Sequence, residues 1–313
     1  MKYINLLLLL VLITSCKDQS PKNVFTKNAA KIDTSVSMAN PIYKDTVLFL
    51  EDFKSNYVDN RNVEIWLPAG YPKKDVTYKV LYMQDGQTAF TTANSNYGKS
   101  WLIGEKMDSL LQSSSIAPTI VVAAWSHADK RFNEYMPQLP GDLTRTAFAK
   151  AELKKNTGYN ELYSDNYLKF LTSELKPYVD KNFQVSQRPE DTAIMGSSMG
   201  GLISLYAFVE YPVVFGRAAC MSTHWPIPIL GEALIDELPE AIPSSDNRII
   251  YFDYGTETLD ATYEPYQKEV DEIFEQAGYN DNSYMSLKFE GHEHDENYWN
   301  KRVHIPLKFL LAN

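Results

Sequence analysis

The chain contains 313 residues, of which 44% are hydrophobic and 22% are charged, and these proportions exclude a disordered or fibrous chain. Its formal net charge of −10 argues against nucleic-acid binding, because a protein that binds phosphates needs a basic surface. A chain of this length is sufficient for one α/β domain with a large core.

The first element along the chain is a short apolar segment. Lys2 precedes an unbroken apolar run over residues 6–13, which is too short to span a bilayer at roughly 20 residues and is typical of a secretory signal. The Ile13-Thr14-Ser15-Cys16 sequence resembles a bacterial lipobox. That resemblance implies export to the bacterial cell envelope, cleavage before Cys16 and a lipid anchor on its sulfur, with the outer membrane as the expected location. An ordinary signal peptide with a chance cysteine is the alternative.

The domain organisation follows from composition. Residues 1–16 are predicted as the signal peptide that ends at Cys16. Residues 17–40 are polar and lack an apolar period, which predicts a flexible tether. Residues 41–313 contain no repeat and no second boundary, so we predict a single catalytic domain. Cys220 lies in an apolar stretch that predicts a buried strand, and a core position is the expected role of its thiol.

From residue 63 onward, strand-like and helix-like segments alternate. Strands are predicted over residues 63–67, 78–83, 119–125, 193–195, 248–253 and 284–289, and around Cys220. Helices are predicted over residues 101–112, 163–182, 202–209, 265–276 and 299–311. Residues 126–160 show no strand pattern, which predicts a cap or a substrate-binding insertion. The alternation predicts an α/β fold with a mostly parallel central sheet and helices on both faces.

The sharpest motif is Gly196-Ser197-Ser198-Met199-Gly200-Gly201, which contains G-x-S-x-G centred on Ser198. An apolar strand precedes it and an apolar helix follows, as a nucleophile elbow requires. The flanking glycines remove Cβ atoms that would collide in the tight turn. The N-terminus of the following helix favours a developing oxyanion. We therefore predict Ser198 as a nucleophile, with a glycine-rich helix start as the alternative.

A serine nucleophile needs a histidine base. In an elbow-type fold the chain order is Ser, acid, His, so His127 is disfavoured. The Gly291-His292-Glu293-His294-Asp295 segment directly follows the last predicted strand, where the base is expected. The residues alone do not choose between His292 and His294. A metal site here is the weaker interpretation, because H-x-H has no supporting histidine cluster. No metal and no organic cofactor are expected.

The acid is expected after the strand over residues 248–253. Asp253, Glu257 and Asp260 are the candidates. Asp253 falls within the predicted strand, whereas Glu257 and Asp260 fall in the loop. Each of the three is equally consistent with a solvated or capping carboxylate, so this choice stays open at the level of the residues.

These motifs resemble the α/β-hydrolase family that includes enterochelin esterases, feruloyl and acetylxylan esterases and mycolyltransferases. The resemblance covers about residues 40–313 and is carried by Val80-Leu81-Tyr82-Met83-Gln84-Asp85-Gly86-Gln87, Arg131-Phe132-Asn133-Glu134-Tyr135, Glu174-Leu175-Lys176-Pro177, the segment 196–201 and the ending 291–299. The ending resembles the family's G-x-x-H-x-x-x-x-W, which implies His294 as the base. The family's acid lies in the loop after Gly255-Thr256, which implies Asp260 if an insertion is assumed and leaves Glu257 as the alternative.

The resemblance also implies an oxyanion hole built from the backbone N–H groups of Met199 and of the region near Gln87. Hydrolysis would then proceed through a Ser-His-Asp triad and an acyl-enzyme. Acetyl or feruloyl esters of carbohydrate are the expected substrates; a trilactone siderophore esterase, an acyltransferase and a non-catalytic glycan-binding lipoprotein are the alternatives. Four residues are expected either to shape the pocket or to pack in the core: Trp125, Tyr135, His224 and Trp225.

Overall fold

A computed structural model of the chain describes residues 46–95, 98–139 and 141–312. The predicted signal peptide, the lipidation site Cys16 and the tether over residues 17–40 lie outside the described residues. Within the part of the chain that is described, no helix combines the length and the apolar character needed to cross a bilayer.

The described residues contribute eight strands to one mixed sheet. The strands are Thr46–Phe53 (β1), Arg61–Leu67 (β2), Lys79–Met83 (β3), Thr119–Ala124 (β4), Thr192–Ser197 (β5), Arg217–Met221 (β6), Ile249–Gly255 (β7) and Tyr284–Phe289 (β8). Their order in the sheet is β1-β2-β4-β3-β5-β6-β7-β8. The β1–β2 and β2–β4 pairs are antiparallel and all other pairs are parallel. This arrangement confirms the predicted mostly parallel sheet.

Eleven α-helices occur among the described residues. They are Ile103–Gln112 (α1), Arg131–Tyr135 (α2), Gly141–Thr144 (α3), Ala147–Thr157 (α4), Ser164–Lys169 (α5), Lys176–Asn182 (α6), Met199–Glu210 (α7), Leu230–Ala241 (α8), Glu264–Gln276 (α9), Glu296–Arg302 (α10) and His304–Leu311 (α11). Helices α5 to α9 contribute to one apolar cluster against the sheet, and α1, α10 and α11 contribute to the other. The sheet therefore carries helices on both faces, as predicted.

The central strands are buried on both faces because they are nearly continuous apolar runs. All six residues of β4 and all six of β5 are buried. Cys220 in β6 is also fully buried, and burial raises the pKa of its thiol well above the usual value. This confirms its predicted core position.

Two predicted helices are interrupted, and a proline accounts for each interruption. The helix predicted over residues 163–182 contains a π-helical segment, Phe170–Leu175, between α5 and α6. Pro177 lies two residues after this segment, at the start of α6. It has no N–H for the carbonyl four residues earlier, and its ring collides with that carbonyl in a regular α-helix. The helix predicted over residues 299–311 divides at Val303 into α10 and α11, because Pro306 removes the same bond one turn later.

Several elements were not predicted. Strand β1 lies at the edge of the sheet, where exposed apolar side chains such as Val47 and Phe49 obscure the alternation. Helix α8 contains Pro239, which disguises its helical period. The predicted insertion over residues 126–160 contains no strand among its described residues and instead forms α2, α3 and α4. Helix α2 packs against α5 and α7 and so borders the nucleophile elbow.

Candidate active site

Ser198 occupies a strained turn between β5 and α7. Its backbone has φ 58° and ψ −123°, a conformation that a residue with a side chain rarely adopts and that costs about 1–3 kcal/mol. Gly196 allows this turn, because a Cβ there would lie 2.6 Å from the Gly200 carbonyl oxygen. Holding Ser198 in this conformation at the carboxyl end of a central strand therefore lowers the stability of the fold.

Two candidate oxyanion donors flank Ser198. Met199 is the first residue of α7, and Gln87 lies in the 3₁₀ turn Gly86–Thr88 that follows β3. The first N–H groups of such turns have no partner within the turn. Strands β3 and β5 are paired neighbours, so both turns emerge at the same edge of the sheet. Gln87 and Ser198 line the same cavity.

The Gln87 side chain fixes the 3₁₀ turn. Its amide nitrogen donates to Ser126 Oγ at 2.7 Å, and its amide oxygen accepts from the Ser126 backbone N–H at 3.1 Å. Gly86 fits there because a Cβ would lie 2.5 Å from the Ala123 carbonyl oxygen. The Gln87 hydrogen bonds and the close approach of Gly86 thus join the turn to β4 and to the residues directly after it.

His294 lies against Asp260. The His294 Nδ1 and Asp260 Oδ1 atoms are 2.5 Å apart, and Asp260 is buried. Its second oxygen, Oδ2, accepts from Ser222 Oγ and from the Gly255 N–H, each at 2.6 Å. Burial acts to raise the pKa of Asp260, but the hydrogen bonds and charge of His294 and the two other donors outweigh it and lower the pKa below its usual value. An ionised Asp260 orients a neighbouring imidazole and stabilises its protonated form.

The other histidine and carboxylate candidates lie elsewhere. His292 Nδ1 is 3.1 Å from Arg302 Nη1. Glu257 is exposed and contacts the Thr256 hydroxyl at 3.4 Å. Asp253 is buried and forms an ion pair with Arg302 at 3.0 Å. Of the three carboxylates, therefore, Asp260 is the one that contacts His294.

Ser198 and His294 both line a cavity of about 590 Å³. Its wall combines indole rings with charged groups: Trp101, Trp125, Trp299, Asp85, Lys99, Arg131 and Asp295. Arg131 donates from Nε and Nη2 to the two Asp85 oxygens at 2.6 and 2.8 Å, and Lys99 pairs with Asp295. Trp125, for which the sequence leaves both a pocket and a core role open, lines this cavity.

His224 lies beside the candidate base without entering its hydrogen bond. The ring centroids of His224 and His294 are 6.3 Å apart, and His224 Nδ1 is 2.6 Å from the Tyr263 hydroxyl. Burial, together with the charges of His294 and Arg131, lowers the pKa of His224 to about 4. The ring is therefore neutral near pH 7, and His224 is not among the residues that line the cavity of Ser198 and His294.

Tyr135 and Trp225 pack in the core, which is one of the two roles that the sequence leaves open for them. Both are fully buried. Tyr135 packs at 5.2 Å from Tyr167, ring centroid to ring centroid. Trp225 donates its indole N–H to Gln267 at 3.1 Å. Aromatic rings that follow strands can satisfy their polar atoms inside the core, so position along the chain does not distinguish the two roles.

Sequence reasoning missed a buried polar network behind the candidate acid. It contains Ser222 directly after β6, Asp253 in β7 and Arg302 at the end of α10. Ser222 has φ 41°, again in the left-handed region. Its position after the carboxyl end of a predicted strand was the available signal, since polar residues at that edge of a parallel sheet are candidates for function.

The weaker interpretation of the 291–295 segment is a metal site. Across residues 46–95, 98–139 and 141–312, no group of three or more His, Cys, Asp or Glu side chains is arranged to hold a metal ion.

Comparison with known families gives a match over most of the chain. The family model described as "Putative esterase" matches residues 55–305. An uncharacterized protein, YbbA of Bacillus subtilis (strain 168), is 25% identical over 169 residues, which are 53% of this chain and 58% of that protein. An endo-1,4-beta-xylanase/feruloyl esterase of Xylanibacter ruminicola is 30% identical over 166 residues, 52% of this chain but 19% of that protein. The chain thus spans less than two thirds of either relative.

Solved structures share the fold. A ferulic acid esterase superposes with a TM-score of 0.63 at 19% identity, covering 86% of this chain and 98% of that one. The enterobactin esterase of Shigella flexneri, solved with 2,3-dihydroxy-N-benzoyl-serine, gives a TM-score of 0.59 at 18% identity over 87% of this chain and 60% of that one. These likenesses confirm the predicted α/β-hydrolase fold.

Proposed function

This chain belongs to the family described as "Putative esterase", and on that premise we propose that it is a carboxylic ester hydrolase whose catalytic triad is formed by Ser198, His294 and Asp260. The observation that carries the proposal is the 2.5 Å contact between His294 Nδ1 and Asp260 Oδ1. His294 and the strained Ser198 line one cavity, so a base and a nucleophile face the same substrate volume.

In the proposed mechanism, His294 accepts the proton of Ser198 as the serine oxygen attacks the ester carbonyl carbon. Asp260 accepts the Nδ1–H hydrogen bond, which leaves Nε2 as the basic nitrogen and stabilises the imidazolium. His294 then protonates the departing alkoxide, and an acyl group remains on Ser198. In the second half, His294 accepts a proton from water as the water oxygen attacks the acyl-enzyme carbonyl. His294 then returns the proton to Ser198 as the carboxylic acid leaves.

The oxyanion of each tetrahedral intermediate would bind the N–H groups of Met199 and Gln87. What supports this assignment is the shared edge of the sheet and the side-chain bonds that hold the Gln87 turn against β4. Donors fixed before the reaction cost no reorganisation when charge develops, and such preorganised donors are typically among the largest contributions to catalysis.

The preferred substrate class is an acetyl or feruloyl ester of carbohydrate. The cavity wall mixes indole rings with charged groups, a combination that suits a sugar, which has apolar ring faces and many hydroxyls. The relative from Xylanibacter ruminicola is named as a xylanase/feruloyl esterase, and the best-covered of the two solved structures is a ferulic acid esterase. Both names favour an aromatic acyl group.

A siderophore ester is the second candidate. The structure of the Shigella flexneri enzyme, an enterobactin esterase solved with a dihydroxybenzoyl-serine, shares the fold of this chain. Arg131, which is paired with Asp85, is a cation on the cavity wall beside which an anionic catecholate would bind. Competition between the two substrate types in one assay separates the candidates.

The test compares the full chain with Ser198→Ala on p-nitrophenyl acetate, methyl ferulate, a feruloylated xylo-oligosaccharide and a catecholate siderophore lactone. We expect Ser198→Ala to lose at least about 10⁴-fold in kcat on every ester. Ser197→Ala is the matched control and should retain turnover. Wild-type turnover by Ser198→Ala would refute the triad. Transfer of the acyl group to an added sugar in preference to water would instead identify an acyltransferase.

Attachment to a membrane through Cys16 and export to the cell envelope are further parts of the proposal, supported by the lipobox-like Ile13-Thr14-Ser15-Cys16 sequence. Incorporation of a labelled fatty acid by wild type, and its loss in Cys16→Ala, is the expected result. Equal release of both proteins into the soluble fraction would contradict the anchor.

A further inference from the structure

The inference concerns Ser222, and it rests on the proposed triad. We propose that Ser222 is a positioning residue that holds the Asp260 carboxylate in the orientation required by His294, and that Arg302 and Trp299 hold Ser222 in turn. This role deepens the proposed function because it gives a purpose to three buried residues, Ser222, Asp253 and Arg302, that do not line the cavity.

The direction of each hydrogen bond in this network is determined by its donors. Ser222 Oγ accepts from Trp299 Nε1 at 2.9 Å and from Arg302 Nη2 at 2.7 Å. A serine hydroxyl has two acceptor sites and one hydrogen. Both acceptor sites are occupied, so the hydrogen must point to the remaining neighbour, Asp260 Oδ2, at 2.6 Å.

Asp260 Oδ2 is therefore saturated by donors from two different strands. Ser222 follows β6, and the Gly255 N–H at the end of β7 supplies the second bond at 2.6 Å. With Oδ2 anchored on both sides, the carboxylate cannot rotate, and Oδ1 is left facing His294. Hydrogen bonds to an ionised group are about twice as strong as those between neutral groups, so each anchor matters.

Arg302 connects Ser222 to a buried ion pair. Its guanidinium also donates to Asp253 Oδ1 at 3.0 Å and Oδ2 at 3.1 Å, and lies 3.1 Å from His292 Nδ1. Both members of the ion pair are buried, and Tyr251 donates to Asp253 at 2.9 Å. A fully bonded buried pair is rigid because any displacement leaves a charge unpaired in a low-dielectric environment.

The backbone of Ser222 supports a role beyond packing. Its φ of 41° is a conformation that glycine adopts without cost and serine does not. Its N–H is already satisfied by the Asp253 carbonyl at 2.8 Å, so the main chain does not require serine. The chain nevertheless carries a hydroxyl at a position where glycine would fold more easily.

Removal of this hydroxyl should change the protonation of Asp260. The groups that face Asp260 are His294, Arg302 at 3.9 Å, Ser222, the Gly255 N–H, Tyr263 and His224. The Ser222 hydrogen bond helps to lower the pKa of Asp260. Without it the carboxylate takes up a proton at higher pH, so the acidic limb of kcat/KM moves to higher pH.

Two variants separate this role from a structural one. Ser222→Ala and Ser222→Gly both remove the hydroxyl, but Ser222→Gly also relieves the backbone strain and should be the more stable of the two. We expect both variants to lose about tenfold in kcat/KM, as for one hydrogen bond to a charged group, and both to show the shifted acidic limb. The value of kcat/KM would then depend on whether the hydroxyl is present and would not correlate with the melting temperature.

The chain offers a matched control at the opposite end of the sheet. Ser186 Oγ donates to Asp191 Oδ2 at 2.7 Å, and Arg188 donates to the same oxygen at 2.6 Å. Ser186→Ala therefore removes the same kind of Ser–Asp–Arg contact far along the strands from Ser198. We expect Ser186→Ala to retain wild-type kcat/KM and an unshifted acidic limb.

The result that would overturn the proposal is a Ser222→Gly enzyme with wild-type kcat/KM and a wild-type pH profile. Failure of the triad itself is recognised separately, because Ser198→Ala would then retain turnover. An unchanged acidic limb of kcat/KM in both Ser222 variants would also contradict the proposal.

Discussion

The most informative single substitution is Asp260→Asn, because the surroundings of this side chain dictate how the amide must lie. The atom that replaces Oδ2 meets two donors, Ser222 Oγ and the Gly255 N–H, each at 2.6 Å. It must therefore be the amide oxygen. The amide NH₂ is then forced toward His294 Nδ1, where wild type places an acceptor at 2.5 Å.

The consequence is the wrong imidazole tautomer. Nδ1 of His294 would accept from the amide, so Nε2 would carry the proton and could not remove one from Ser198. In serine proteases the same change lowers kcat about 10⁴-fold, which corresponds to about 5.4 kcal/mol in activation free energy. We expect a loss of this size for Asp260→Asn on p-nitrophenyl acetate.

Glu257→Gln is the matched control, because Glu257 is the other carboxylate of the same loop and is exposed. A surface substitution of this kind should leave kcat within about twofold of wild type. Circular dichroism and the denaturation midpoint establish that both variants are folded. If Asp260→Asn kept more than a tenth of wild-type kcat while the kcat of Glu257→Gln fell below a tenth, the assignment of Asp260 as the acid would be wrong.

Three further predictions follow from the structure. Gly196→Ala places a Cβ 2.6 Å from the Gly200 carbonyl oxygen, and denaturant unfolding should show a loss of about 1–3 kcal/mol, whereas unchanged stability would contradict the close approach. Glu134→Gln leaves the buried Arg61 guanidinium without the carboxylate that it contacts at 2.9 and 3.0 Å, and we expect unfolding measurements to show a cost of about 3–5 kcal/mol. Burial lowers the pKa of His224 from 6.5 to about 4. Unfolding therefore takes up a proton between these two pH values, and the stability of wild type falls as pH decreases through that range. His224→Gln should flatten this part of the stability profile, and an unchanged slope would disprove that folded His224 is neutral there.

The Arg61–Glu134 pair also links stability to the site. Glu134 lies in α2, the helix that carries Arg131 to the cavity wall, and Arg61 begins β2. The pair anchors α2 to the sheet, so its loss should loosen the Arg131–Asp85 contact beside the Gln87 turn.

Local pattern in the sequence was sufficient to predict the α/β-hydrolase fold and the elbow around Ser198. The reason is that helical and strand periods, and the need for glycine in a tight turn, are properties of neighbouring residues. The same reasoning located the segment of the candidate base after β8. It could not choose between His292 and His294, and only the family resemblance favoured His294.

Only the tertiary structure decided which groups meet. His294 and Asp260 are 34 residues apart in sequence, and no local period encodes a contact at that separation. Burial of Tyr135 and Trp225 likewise depends on elements packed from elsewhere in the chain. The network of Ser222, Asp253 and Arg302 brings together the ends of two strands and one helix, so its chemistry exists only once the sheet has assembled and the last helices have packed on it.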